Sequence, residues 1–155
     1  MSGGAAFVVR DAAWSADADA LSHVRRKVFI DEQRVPEALE WDADDPRSLH
    51  ALAIDDRGNP IATGRLLADG HIGRIAVLRE WRGRGVGAAL FEHLVAAAAR
   101  RGHLALYLNA QTQAAGFYAR YGFIAAGPEF LEAGIAHIAM ERKVTPPPAL
   151  PDGRP

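Results

Sequence analysis

The apolar run His71-Ile72-Gly73-Arg74-Ile75-Ala76-Val77-Leu78 stops at Arg79-Glu80-Trp81-Arg82-Gly83-Arg84-Gly85-Val86-Gly87, and an Ala/Leu-rich segment follows at once. This order predicts a strand, a glycine elbow and a helix in direct succession. The first N–H groups of a helix have no carbonyl partner within it, so they project at the elbow together with the positive end of the helix dipole. Gly83, Gly85 and Gly87 let the backbone approach a ligand closely, and Arg82 and Arg84 add positive charge. A pyrophosphate is matched to such a corner. The alternative is an ordinary turn, but alternating glycines at a helix start carry a conformational cost that packing or a ligand must offset.

The chain has 155 residues, enough for one domain with a core and too few for two. We expect a single domain over residues 1–143 and a disordered Pro-rich tail, VTPPPALPDGRP, over 144–155. A net charge of −1 gives no bulk attraction to nucleic acid or anionic membrane, so neither is an expected partner. Cys is absent, which removes disulfides, thiolate catalysis and Cys-based zinc sites and fits a reducing, cytoplasmic setting. The opening MSGGAAFVVRD lacks the basic and apolar regions of a signal peptide, and no apolar run reaches membrane-spanning length.

Short apolar runs predict strands at 7–10, 50–54, 61–67, 71–78, 103–109, 123–126 and 135–142. Ser15 is the expected N-cap of a first helix, with Leu21, Val24 and Val28 on its apolar face, running to about Asp31. Asp55-Asp56-Arg57-Gly58-Asn59 and Ala68-Asp69-Gly70 read as turns of an antiparallel meander. Val86, Ala89, Leu90, Leu94 and Ala97 form the apolar face of the helix after the elbow, which Gly102 ends. The continuous apolar character of 103–109 predicts burial on both faces and a parallel crossover from strand 71–78. A short helix over 112–121 and a closing hairpin turning at Ala133-Gly134 complete an α/β (α+β) chain with a mixed sheet.

Two nucleotide-binding patterns fail. A P-loop needs Gly-Lys-Ser/Thr where this chain has Gly87-Ala88-Ala89. A dinucleotide fold needs an acid about 20 residues beyond its glycines. No Asp or Glu occurs here from His93 through Pro128. Charge is instead segregated. That acid-free stretch holds Arg100, Arg101 and Arg120, whereas residues 31–45 hold seven acids against Arg34 alone. The first suits an anionic ligand; the second is either a cation-binding surface or a solvated loop.

Arg82-Gly83-Arg84-Gly85-Val86-Gly87 resembles the Arg/Gln-x-x-Gly-x-Gly/Ala signature of the GCN5-related N-acetyltransferases (GNAT). Gly116-Phe117-Tyr118-Ala119-Arg120-Tyr121-Gly122-Phe123 is similar to the second signature of that superfamily. More narrowly, Val28-Phe29-Ile30-Asp31-Glu32-Gln33, the acidic segment to Asp45, Gly73-Arg74 and Gly134-Ile135-Ala136-His137 resemble its bacterial ElaA branch. The resemblance spans about residues 20–143. It implies the GNAT fold, with a sheet splayed between strands 71–78 and 103–109. It also implies acetyl-CoA as donor, no metal, and a small-molecule or peptide amine as acceptor, in a monomer or homodimer. The pantetheine arm would lie along Ile75, Ala76 and Val77, and the pyrophosphate on Arg82, Gly83, Arg84, Gly85, Val86, Gly87 and Ala88. A non-catalytic acyl-CoA-binding module on the same fold is the alternative.

Acetyl transfer needs a route for the amine proton, a donor for the carbonyl oxygen, an acid for the thiolate, and alignment. Val77 N–H is the oxyanion donor that the resemblance implies, and Tyr118 is the acid, since a phenol stays protonated at neutral pH. Asn109, at the expected end of its strand, is placed to bond the pantetheine or to cap the turn. Glu32 at the end of the first helix is the candidate base, directly or through water, or else a solvated residue. Gln33, Asp42 and Asp45 rank lower on the acceptor side. His50, His71 and His137 read as structural groups on or beside strands, and Arg65 and Arg74 as partners of nearby acids. No His/Asp/Glu pair has metal-ligand spacing.

Overall fold

A computed structural model describes residues 6–144, so the Pro-rich tail lies outside the described residues except for Val144. Strands β2 (Leu49–Asp55), β3 (Pro60–Leu66) and β4 (Ile72–Val77) form the expected antiparallel meander, and β1 (Phe7–Ala12) adds to it beside β2, in the order β1-β2-β3-β4. Asp55 closes the β2–β3 hairpin by accepting the N–H groups of Arg57 and Asn59. Along β2, Leu49, Ala51 and Ala53 face one apolar layer while Leu52 faces another, so this strand is covered on both sides.

Helix α1 (Trp14–Arg25) supplies one cover. Ala13, not Ser15, is its N-cap; Asp17 reaches back to accept the Ala13 N–H at 3.1 Å and pairs with Arg10 at 2.9 Å. The helix continues as a π-helical segment, Arg26–Glu32, ending with Gln33 N–H on Val28 O. The wider turn carries Val28 and Phe29 inward together. A short helix α2 (Glu37–Glu40) follows.

Helix α3 (Val86–Arg100) covers the other face. Val86, Leu90, Leu94 and Ala97 are buried as the periodicity predicts, and Phe91 and Ala98 join them, while Ala89 is only half-buried. Gly64 admits this close packing, because a Cβ there would stand 2.6 Å from Leu90 Cδ2. Opposite Gly64 the ladder slips: Thr63 pairs with Ala76 but Arg65 with Gly73. Arg74 and Ile75 thus share one partner position, and Arg74 takes φ +53°, a bulge that bends β4 away from its neighbour.

The second sheet contains β5 (Ala105–Gln111), β6 (Ile124–Ala125), β7 (Phe130–Glu132) and β8 (Ile135–Lys143). β8 is the spine that β5, β6 and β7 all flank antiparallel, with helix α4 (Ala115–Ala119) between β5 and β6. The turn at Ala133-Gly134 joins β7 to β8 as expected, but the sequence does not mark the residues of β7 as a strand: its side chains are exposed, so no apolar alternation identifies it. The double burial expected of 103–109 is also corrected. Leu106, Leu108 and Ala110 are buried, but Asn109 is exposed and Tyr107 and Gln111 are only partly covered. Continuous apolarity reflected a strand with one face on the core and one along a gap.

That gap is the central architectural fact. β4 and β5 run parallel and touch at one isolated bridge, His71 to Tyr107, where Tyr107 N–H donates to Gly70 O at 3.0 Å. Gly70 sits at φ +96°, and a Cβ there would lie 2.7 Å from Ala105 O. Beyond this stitch the strands part.

Candidate active site

The parting strands open a cleft of about 420 Å³. Ile72 to Ile75 form one wall, Leu108, Asn109 and Gln111 the other, and Tyr118 from α4 lies between them. Asn109 does not end its strand, which runs on to Gln111, but it lines the cleft.

Backbone polarity along β4 follows from one bond. Leu78 N–H donates to Ile61 O while Val77 pairs with Ala62, so Val77 occupies a non-hydrogen-bonded position. Its N–H and C=O therefore point away from β3 toward the gap. Ala76, paired with Thr63, spends its groups within the meander, so it offers no free backbone to a ligand. The Val77 carbonyl accepts Arg82 Nε at 2.9 Å; the Val77 N–H faces the opening.

At the elbow, Gly83 and Gly85 take φ +76° and +80°, a conformation that other residues adopt only with strain. Gly85 is the N-cap of α3, and the first intrahelical bond runs from Ala89 N–H to Gly85 O. The N–H groups of Val86, Gly87 and Ala88 thus have no helical acceptor. Gly87 differs from the other two: it is helical, and a Cβ there would make ordinary contact with Val77 Cγ2 at 3.6 Å. Arg84 is exposed and lies over the Trp81 ring at 5.1 Å.

Arg82 and Glu32 correct the sequence reading. The Arg82 guanidinium is gripped by Glu32 through two bonds of 2.9 and 3.0 Å, with Arg79 at 3.6 Å. Arg82 is therefore a strut between the π-helical segment, Val77 and the elbow, its charge largely spent. The hydrogen bond from Arg82 holds the Glu32 carboxyl below the usual carboxylate range. A carboxylate so paired is a poor base, and Glu32 does not line the cleft.

The acidic segment is divided: Asp31, Glu37, Asp42 and Asp44 are exposed, whereas Glu40 and Asp45 are buried on arginines. Arg25, fully buried, donates to Glu40 at 2.7 Å, to the Glu40 carbonyl at 2.6 Å and to Asp45 at 2.7 Å. Arg65 bonds Asp42 and Asp45 at 2.9 Å. Burial resists charge on Asp45, but Arg25, Arg65 and the Asp42 N–H overcome it and hold its carboxyl low. Glu40 goes the other way: burial outweighs its arginine contacts and pushes it up. Of the acceptor-side candidates, Asp42 and Gln33 line the cleft, whereas Asp45 is locked in this cluster. Arg74 lies 3.7 and 3.8 Å from Asp42 and Glu40.

His50 is structural: its Nε2 meets Asp45 O at 2.8 Å, its ring packs on Trp14, and burial lowers its pKa. His71 and His137 instead line the cleft, together with Glu132 of the unforeseen β7. Tyr118 packs against Phe91 in a cluster with Phe117 and Phe123. Burial pushes its phenol up to about 12. Among the described residues no helix is long and apolar enough to cross a membrane.

Comparison with known proteins matches this geometry. Residues 15–144 fit the family model described as an acetyltransferase (GNAT) domain. The N-acetyltransferase YjcF of Bacillus subtilis is 40% identical over 122 residues, 76% of this chain and 86% of that protein. An acyl-CoA N-acyltransferase from Pseudomonas aeruginosa superposes with a TM-score of 0.80 at 33% identity, covering 88% of this chain and 99% of that one. ElaA of Escherichia coli superposes with a TM-score of 0.79 at 28% identity, with the same coverage. The parted β4–β5 pair, the open helix start beside it and these matches converge: the chain belongs to the GNAT acetyltransferase family.

Proposed function

We propose that this acetyltransferase takes its acetyl group from acetyl-CoA and passes it to a primary amine by direct attack, with both reactants held at once. The observation that carries the reading is the single stitch between β4 and β5, beyond which a cleft leads to Tyr118. The unpaired N–H groups of Val86, Gly87 and Ala88, with Gly83, Gly85 and Arg84 beside them, would hold the pyrophosphate. Ile75 and Val77 would bond the pantetheine arm on one side and Asn109 on the other. Bound there, the thioester would supply an activated acetyl carbon.

Val77 N–H is aimed where oxyanion charge develops. Tyr118 is the acid. With its phenol at about 12 it stays protonated throughout the working range. Giving a proton to a thiolate of ordinary pKa near 8.5 is uphill for such a phenol. The transfer therefore proceeds as the proton remaining on the new amide nitrogen refills the tyrosine. Tyr118→Phe is the test. It should lower kcat by about a hundredfold or more while the dissociation constant for acetyl-CoA stays within about twofold, read by stopped thiol release and calorimetry. An unchanged kcat across pH removes Tyr118 as the acid.

A further inference from the structure

We propose that His137 is the general base for the acceptor and that Glu132 captures the acceptor as a primary ammonium ion. The inference rests on the transfer reading above and assigns the acceptor side of the same cleft.

The ring of His137 is held in one orientation. Nδ1 lies 2.7 Å from Ile135 O, an acceptor only, so Nδ1 carries the proton and Nε2 presents its lone pair in the neutral ring. Phe130, its cross-strand partner on β7, stacks on the ring at 5.9 Å and 25°. Gln111, its partner on β5, is fixed by a 2.8 Å bond to Gln33. The residue is buried yet lines the cleft, as do Gln111 and Tyr118.

Glu132 Oε2 stands 3.6 Å from Nε2. That distance is too long for a hydrogen bond between them and leaves an ammonium nitrogen room to sit at about 2.9 Å from both. Glu132 is half exposed on β7, at the mouth of the cleft, whereas His137 lies within it. A cation would meet the carboxylate first and the imidazole second. Glu32, the carboxylate expected to fill this role, is engaged by Arg82 and absent from the lining.

The ammonium gives one proton to His137 Nε2, forming a neutral amine and an imidazolium that Glu132 stabilises. The amine lone pair forms the C–N bond to the acetyl carbon, and the C–S bond breaks with its electrons leaving on sulfur. Sulfur takes the Tyr118 proton, and the proton left on the amide nitrogen returns to Tyr118. His137 then releases its proton to water. One ammonium and one thioester give one amide, one thiol and one proton.

The experiment assays the full chain with acetyl-CoA and a broad panel of primary amines, among them spermidine, phenethylamine and a lysine peptide. His137→Gln should lower kcat/KM for the amine by about a hundredfold or more with acetyl-CoA affinity unchanged. His137→Ala should recover activity when free imidazole is added, which a packing role would not allow. Glu132→Gln, at an exposed side chain, should raise amine KM severalfold and also lower kcat, by less than His137→Gln does, because the imidazolium loses its counter-charge; it remains readable if the His137 variants misfold. Wild-type kcat/KM in folded His137→Gln, or an unmoved amine KM in Glu132→Gln, overturns the proposal alone. A wild-type chain that binds acetyl-CoA yet acetylates no amine overturns the transfer reading and this inference with it.

Discussion

Residues 31–45 and residues 79–88 are both dense in charge, and the fold turns them in opposite directions. In the first, Glu40 and Asp45 are folded inward onto Arg25 and Arg65, and Trp14 and Trp41 pack near the Arg25 guanidinium at 5.6 and 5.1 Å. In the second, Gly83, Arg84 and Gly85 stay exposed and the helix start remains unpaired. Formal charge was abundant in both. What separates scaffold from binding surface is whether the polar groups already have partners within the chain.

Two substitutions, one acting on each region, should have opposite effects on stability and on donor binding. Arg25→Ala removes the hydrogen-bonded counter-ion of buried Glu40 and one of the two that Asp45 has, and should cost about 3–5 kcal/mol of stability, seen as a large fall in the urea midpoint. The fraction that remains folded should bind acetyl-CoA normally. Gly85→Val should do the reverse. Forcing φ +80° on a β-branched residue costs on the order of 1–2 kcal/mol, but acetyl-CoA affinity should drop about tenfold or more, a loss near 1.4 kcal/mol. Calorimetry distinguishes the two.

Acid sharpens it further. The Asp45 carboxyl is held low in the folded chain, so its stabilisation is complete above the unfolded Asp value, near 3.9, and is lost as pH falls through the lower folded value. Glu40 is raised, so its protonation on the way down toward about 4.3 relieves a burial cost and adds stability. The urea midpoint should therefore hold or rise slightly toward pH 4.5 and fall steeply below about 4. A midpoint that declines steadily from pH 6 would contradict this pairing. The smallest effect belongs to Glu32→Gln. The Glu32–Arg82 pair is partly exposed and should contribute about 1 kcal/mol or less, so KM for acetyl-CoA should rise no more than about fivefold while kcat holds.

Much of this was legible in the chain because local rules and global packing agree there. The meander follows from its turns, α3 from the spacing of Val86, Leu90, Leu94 and Ala97, and the elbow before it from glycines that occupy a positive φ. What escaped depended on distant partners. Nothing near Glu40 in sequence announces that Arg25 is its counter-ion, fifteen residues away. Arg82 looked like a phosphate ligand because Glu32, fifty residues earlier, was invisible as its partner. β7 carries no apolar period, so although the turn at Ala133-Gly134 was legible, the approach of Glu132 and Phe130 to the His137 ring was not. Gly70 read as a turn residue, although its real constraint is the Ala105 carbonyl that a side chain would strike.

The stitch at Gly70 is the one backbone joint between β4 and β5, a fulcrum backed by the core that α3 shares with both sheets. A strand of six residues such as β4 extends about 20 Å from that fulcrum, so a rotation of 5° at the pivot moves the far tip by roughly 1.7 Å, about half the spacing of two packed carbon atoms. The width of the cleft is thus tied to the backbone contact of Gly70 with Ala105 and Tyr107 and to the core behind it, far from Tyr118.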